Sequence, residues 1–177
     1  MAQLIMNWTN DGTAKREVIL PSGVELKSFP ELPNALEAWL DIVRYMGQTV
    51  QPPSDKDYYD KVMISRPNYN ENMCYFLTVD GQPAATITVI CDYSAKKGYV
   101  HMVCCKSEFR GRGLGYILND VAVNALKNEG METAYLTTDD WRIAAIKTYL
   151  KSGFVPDLDS EDDFRERWDK IYSIING

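Results

Sequence analysis

The sequence predicts a mixed α/β (α+β) domain whose central sheet is mostly antiparallel and holds one parallel strand pair. Three stretches carry that prediction. Tyr99-Val100-His101-Met102-Val103-Cys104-Cys105, rich in β-branched, aromatic and sulfur side chains, reads as a strand. It passes through Arg110-Gly111-Arg112-Gly113-Leu114-Gly115 into a helical pattern of Leu114, Leu118, Val121, Ala122, Ala125 and Leu126. A second strand, Thr133 to Thr138, follows that helix, and a strand, helix and strand of this length pairs in parallel through a right-handed crossover. Upstream, turns at Asp80-Gly81 and near Ala95 to Gly98 divide residues 73–105 into three strands of an antiparallel meander.

The remaining elements follow in order. Gln3 to Trp8 and Arg16 to Leu20, separated by Asn10-Asp11-Gly12, read as a hairpin. Val24 to Phe29 alternates as a strand. Pro33 or Asn34 opens a helix through Leu36, Trp39, Leu40, Val43 and Met46, and Gly47 ends it. After the linker Gln51-Pro52-Pro53, Ser54 is placed to cap a helix from Asp55 to Ser65. Glu129-Gly130 closes the long helix after the glycine loop. Asp139 or Asp140 is expected to cap a helix from Trp141 to Lys151, which stops at Ser152-Gly153. Phe164, Trp168, Ile171 and Tyr172 mark a terminal helix, with the carboxylates of residues 157–163 as a solvated cap.

The chain of 177 residues suits one domain, 1–177: an N-terminal part to residue 72, a core over 73–154 and a C-terminal helix after 155. Nineteen basic against 25 acidic residues argues against a nucleic-acid surface and is compatible with a cationic amine partner. Cys74, Cys91, Cys104 and Cys105 lack Cys-x-x-Cys spacing, and one histidine leaves no zinc set, so no metal is expected. Cys104 and Cys105 point to opposite faces of a strand, which suits a reducing compartment. With no signal-peptide pattern and no run near the roughly 18 apolar residues of a membrane span, a cytoplasmic protein without a membrane partner is expected. A homodimer is compatible with the sequence.

The glycine loop reads as an anion cradle: glycines at 111, 113 and 115 let backbone N–H groups approach a ligand, and the helix start adds unpaired donors. It lacks the Gly-Lys-Ser/Thr of a Walker loop and the glycine spacing of a dinucleotide fingerprint. Arg110-x-x-Gly113-x-Gly115 instead resembles the acetyl-CoA pyrophosphate loop of the GCN5-related N-acetyltransferase (GNAT) superfamily. Ala145 to Phe154, with Tyr149 four residues before Gly153, resembles that family's next helix. The resemblance covers roughly residues 73–154. The N-terminal helices and the Gly153-Phe154-Val155-Pro156 exit also resemble one half of mycothiol-synthase-type two-domain acetyltransferases.

The resemblance implies a GNAT fold: a twisted sheet with helices on both faces, and a parallel pair that splays apart to hold the cofactor. It implies transfer of an acetyl group from acetyl-CoA to the primary amine of a small molecule by direct attack in a ternary complex. Arg110, Gly111, Arg112, Gly113, Leu114 and Gly115 would hold the pyrophosphate of coenzyme A. Val103, Cys104 and Cys105 would offer main-chain groups to the pantetheine arm, and the Cys105 N–H would meet the thioester oxygen. Tyr149, one turn after the small Ala145, is the candidate general acid.

His101 is the candidate general base, taking the place of a family glutamate. On an alternating strand it shares a face with Val103 and Cys105, about 13 Å from the latter, and an imidazole of pKa about 6.5 suits neutral pH. Glu108, Asp139 and Asp140 are alternatives. Trp39, Tyr45, Tyr58 and Tyr59 are candidates for an acceptor wall, or ordinary core and surface aromatics. The family continues into further strands after the Gly-Phe pair, whereas here a helix is expected, which puts the acceptor site's shape in question. Two other readings stand beside this one: an acyl-CoA-binding sensor or subunit without turnover, and an acetyltransferase for protein N-termini or lysines.

Overall fold

The sheet is organised about its longest strands, whose apolar side chains are needed on both faces because helices cover both. The computed structural model describes residues 2–177. In chain order the strands are β1 (Leu4–Thr9), β2 (Val24–Ser28), β3 (Cys74–Val79), β4 (Gln82–Asp92), β5 (Lys97–Cys105), β6 (Thr133–Thr138) and β7 (Val155–Pro156). The helices are α1 (Ala35–Val43), α2 (Lys56–Tyr59), α3 (Leu114–Asn128), α4 (Ile143–Lys151) and α5 (Phe164–Asn176). Among the described residues, seven strands form one sheet in the order β2-β3-β4-β5-β6-β1-β7. Every neighbouring pair is antiparallel except β5 with β6. This is the mixed sheet, flanked by helices, that the sequence predicts.

The meander turns as its residues dictate. Asp80 and Gly81 both take positive φ, 50° and 79°, the left-handed pair that a two-residue hairpin needs to match strand twist. Two apolar clusters hold the layers together. The larger joins one sheet face to α3, α4 and α5 through Leu118, Leu126, Ile146, Phe164 and Trp168. The smaller joins the other face to α1 and α2 through Trp39, Ile42, Tyr59, Phe76 and Cys104. Phe164 and Trp168 are almost wholly buried, and each such side chain contributes about 1.5–3 kcal/mol, enough to dock the terminal helix.

The N-terminal hairpin is not formed. β1 instead lies inside the sheet, paired over its whole length with β6. Residues 16–20 are not in a strand. The Arg16 main chain exchanges hydrogen bonds with the Asn124 amide, and its guanidinium pairs with Asp120 at 2.7 Å, so the chain after β1 is tied to α3. The slot beyond β6 is therefore filled from the N-terminus, while β7 is only two residues long and pairs with β1.

Two caps also differ from expectation. Asp55, not Ser54, caps α2, accepting from the Tyr58 N–H, and the helix continues as a π-turn over Asp60–Ile64. Neither Asp139 nor Asp140 caps α4, whose N-cap is Arg142. The reason for Asp140 is a stronger partner: Arg167, buried on α5, donates to it at 2.9 Å and also to the Ala2 carbonyl at 3.0 Å. That ion pair holds the Asp140 carboxyl below its ordinary pKa.

The parallel pair has its own requirement. A Cβ at Gly98 would stand 2.1 Å from Leu126 Cδ2 and 3.2 Å from Ala134 Cβ, so only glycine lets α3 lie this close to the β5–β6 seam. Gly98→Ala is predicted to lower stability by about 1–3 kcal/mol through overpacking, read as a lower urea midpoint with an unchanged slope. An unchanged midpoint would mean that α3 does not press on this seam.

Candidate active site

β5 and β6 are paired only at Lys97–Thr133, Gly98–Ala134 and Tyr99–Tyr135. Past that point β5 bulges. Thr86 and Thr88 on β4 face Cys104 and His101, so two steps on one strand meet three on the other. Met102 absorbs the extra residue with φ 54°, a strained setting for an L side chain and a device that bends a strand locally. With β6 no longer alongside, the main chain from Val103 to Cys105 borders a gap.

A cavity of about 570 Å³ fills that gap. Val103, Cys104 and Cys105 form one wall, Arg142, Ala145 and Thr148 another, and the loop residues Arg110, Gly111, Gly113, Leu114 and Gly115 the end. Every residue assigned to the cofactor from sequence therefore borders one space, apart from Arg112. The Arg112 guanidinium stacks on the Phe109 ring, 5.4 Å from its centroid.

The loop is built as a cradle. Gly111 and Gly113 take φ 77° and 78°, and a Cβ on either would meet nothing within 4 Å. Among the described residues, the N–H groups of Gly111, Arg112 and Gly113 donate to no backbone carbonyl. Leu114 and Gly115 open α3, where N–H groups have no partner one turn back and the helix dipole is positive. These donors and the open space beside the glycines fit a pyrophosphate. The Arg110 side chain is committed elsewhere: Nε donates to the Cys105 carbonyl at 3.1 Å and an Nη to the Tyr45 carbonyl at 2.8 Å. It ties the loop to the end of β5 and to the chain after α1.

Arg142, which is not among the residues assigned from sequence, crosses the gap. Its guanidinium donates to the Val103 carbonyl at 3.2 Å. A cation at the start of a helix is unfavourable to the dipole and so needs another reason to be there.

Tyr149 is buried, its ring edge-on to Phe154 at 6.3 Å. It does not line the cavity but lies within electrostatic reach of two residues that do. Burial pushes its phenol up to about 12, Arg142 opposes the shift and Cys104 adds to it. The hydroxyl thus holds its proton through the neutral range.

His101 is not where alternation puts it. The Met102 bulge adds one residue, so His101 shares a face with Cys104 and α2 rather than with Val103 and Cys105. Both its ring nitrogens are engaged, Nε2 with the Val62 carbonyl at 3.0 Å and Nδ1 with the Tyr99 hydroxyl at 3.1 Å. Burial lowers its pKa, and Arg66 lowers it further against the Val62 bond. It is not a free base facing the cavity.

The alternatives are also engaged: Glu108 accepts from Ser107, Asp139 from Gln3 and Asp140 from Arg167. Of the four aromatics, Trp39 and Tyr59 are core, Tyr58 is partly exposed, and Tyr45 lines the cavity. Among the described residues no group of three or more His, Cys, Asp or Glu side chains converges as a metal site.

The cysteines face both sides of β5, as alternation beyond the bulge requires. Cys104 donates to the Ile42 carbonyl at 3.1 Å, and burial raises it to about 12. Cys105, half-buried at the cavity wall, is raised to about 11 by burial although Arg110 opposes the shift. Iodoacetamide is therefore predicted to alkylate Cys105 ahead of the buried Cys74, Cys91 and Cys104. The thiolate is the reactive form, so the rate should climb about tenfold per pH unit towards pH 11. A plateau near pH 8 would contradict the assignment.

Comparison with known proteins places this geometry. Residues 37–154 match the model of the acetyltransferase (GNAT) family. A mycothiol acetyltransferase from Tsukamurella paurometabola is 34% identical over 67 residues, covering 38% of this chain and 23% of the relative. A GCN5-related N-acetyltransferase structure from Sphaerobacter thermophilus superposes with TM-score 0.68 at 17% identity, over 89% of this chain and 50% of that one. The ribosomal-protein-S18-alanine N-acetyltransferase of Escherichia coli superposes with TM-score 0.59 at 20% identity, over 75% of this chain and 77% of that one. This chain thus spans about a quarter of the curated relative and half of the Sphaerobacter protein. No helix among the described residues is long and apolar enough to cross a membrane. The family model covers more than half of the sequence, and the chain belongs to the GNAT acetyltransferase family.

Proposed function

We propose that this protein transfers the acetyl group of acetyl-CoA to the primary amine of a small molecule, by direct attack while both are bound, and that residues 1–177 act as one domain. The observation that carries the reading is the junction of an anion cradle with a cleft bordered by unpaired strand. Enzymes of this family use acetyl-CoA, which when bound supplies an acetyl thioester.

The N–H groups from Gly111 to Gly115 would hold its pyrophosphate, and Arg112 would add charge from outside the cradle. Main-chain groups of Val103, Cys104 and Cys105 would hold the pantetheine arm. To free the Val103 carbonyl, Arg142 would exchange its bond for one to the cofactor. Tyr149, protonated through the neutral range, would donate to the leaving thiolate. Cys104 and Cys105, with raised pKa values, are poor nucleophiles, which supports direct transfer over an acyl-cysteine. Free cysteines suit a reducing cytoplasm.

The relatives' names point two ways, one to mycothiol and one to the alanine of a ribosomal protein. A small cationic acceptor is supported by the chain's acidic balance, 25 acidic against 19 basic residues.

Free-thiol release from acetyl-CoA across polyamines, amino acids, aminoglycosides and peptides tests the reading, with acetyl-CoA affinity recorded by calorimetry. Release with one small-molecule class is expected. Release only with peptides would favour a protein acceptor, and tight binding without release would favour a sensor. Gly113→Asp, which puts a carboxylate on a left-handed residue in the cradle, should lower acetyl-CoA affinity at least 100-fold. Tyr149→Phe should lower kcat by about 10²-fold with that affinity unchanged, and an unchanged kcat would remove Tyr149 from proton transfer.

A further inference from the structure

The basic residues fall into two groups, and the division follows the cleft. Of the 19 in the sequence, ten pair with a carboxylate among the described residues. Among those that do not, Arg110, Arg142 and Lys147 line the cleft, and Arg112 and Lys151 stand beside it. No Asp or Glu lines it. In a chain of net charge −6, unpaired cations gathered in this way make one groove attractive to an anion.

Three of the five already have partners. Arg110 and Arg142 donate to main-chain carbonyls, and Arg112 stacks on Phe109. Lys147 and Lys151 are exposed. They stand four residues apart on α4 and so share a face, where like charges weigh against the helix. The helix, Ile-Ala-Ala-Ile-Lys-Thr-Tyr-Leu-Lys, holds no acid to offset them. Lys151 suits the negative end of the helix dipole, but Lys147 in mid-helix has no such reason to be basic.

Packing fixes where the two lysines stand. A Cβ on Gly115 would lie 3.5 Å from Thr148 Cγ2, and the buried Asn119 of α3 donates to Thr148 Oγ1 at 2.8 Å. The two helices therefore touch immediately after the cradle. Tyr116, one residue past Gly115, is 37% exposed and lines the cleft with Lys147 and Thr148. Lys151 Nζ rests 4.5 Å from the centroid of its ring, a contact that keeps the ammonium at the groove. The cleft thus continues past the glycines onto a basic shelf between α3 and α4.

The order of groups in coenzyme A decides what meets that shelf, and this step rests on the acetyl-CoA reading. With the pantetheine arm along β5 and the pyrophosphate at Gly111 to Gly115, the next group outward is the ribose with its 3′-phosphate. A phosphate monoester carries about −1.5 to −2 charge at pH 7. We infer that Lys147 and Lys151 bind this 3′-phosphate, so that the protein selects coenzyme A thioesters over dephospho-coenzyme A and phosphopantetheine thioesters, which lack it. Lysine suits the task as a compact charge on a flexible stem: the pair closes on a dianion and lets the spent coenzyme leave.

The test is calorimetry of the full chain with coenzyme A and with dephospho-coenzyme A at low ionic strength. Wild-type protein is expected to bind coenzyme A about tenfold more tightly, the order of two exposed ion pairs. Lys147→Gln combined with Lys151→Gln should bring the two ligands within about twofold by weakening coenzyme A alone, and about 0.5 M salt should do the same to the wild type. Lys61→Gln, on the segment that packs against the other face of the sheet, should keep the preference.

Equal wild-type affinity for the two ligands overturns the inference while sparing the cradle. So does a preference that survives in the double variant, or one that Lys61→Gln removes as fully. Wild-type protein that binds neither ligand overturns the coenzyme A reading as well. Should the double variant not fold, phosphorus NMR of coenzyme A with wild-type protein gives the answer. The 3′-phosphate signal is expected to move together with the pyrophosphate signals, and a 3′-phosphate that keeps its free position while the pyrophosphate moves overturns the inference.

Discussion

A parallel pair that lasts three residues and then comes apart is the constraint on which this molecule depends. Continued pairing of β5 with β6 would satisfy every backbone group of both strands and leave no space between them. The extra residue at Met102 ends that option. It costs strain in the left-handed region, and its return is a length of main chain with a free side towards α4. Backbone groups are obligatory hydrogen bonders, so this border needs partners. In the structure Arg142 supplies one of them at Val103, and Arg110 another at Cys105.

Much of the remaining architecture serves to hold that opening at a fixed width. At its closed end Gly98 lets Leu126 of α3 lie against the seam. At its open end the glycine loop turns directly into α3, so the helix start faces the gap while the helix body is locked by Leu118, Ala122 and Leu126 in the core. On the far side β6 is kept in place by six residues of β1. Arg167 adds a buried tie from α5 to Asp140, just after β6. The same bulge that opens the cleft rotates His101 onto the α2 face, where Val62 and Tyr99 close around it.

Much of this was legible in the sequence because it lies in local chemistry. Glycines before a helical repeat and Asp80-Gly81 between alternating runs both act through neighbours within a few positions. What the sequence hid was long-range. Gln3 to Trp8 alternates as a strand, but whether it pairs with residues 16–20 or with β6 is decided by which partner buries Leu4, Met6 and Trp8, and β6 does. Asp140 has the composition of a cap, and Arg167, 27 residues on, outbids the helix end for it. The face of His101 was hidden for a subtler reason. Period-two counting holds only while pairing is regular, and one residue of bulge reverses every face beyond it. An isolated methionine between histidine and valine gives no warning of that.

The central claim is that the Met102 bulge and the α3 cradle together make one site for coenzyme A. Its most direct test is a backbone amide NMR titration of the full chain with coenzyme A. The account predicts that the large shift changes fall on residues 103–105, 110–115 and 142–148, while β2, β3 and the end of α5 stay still. Shifts concentrated outside the cleft, or none at millimolar coenzyme A, would contradict it.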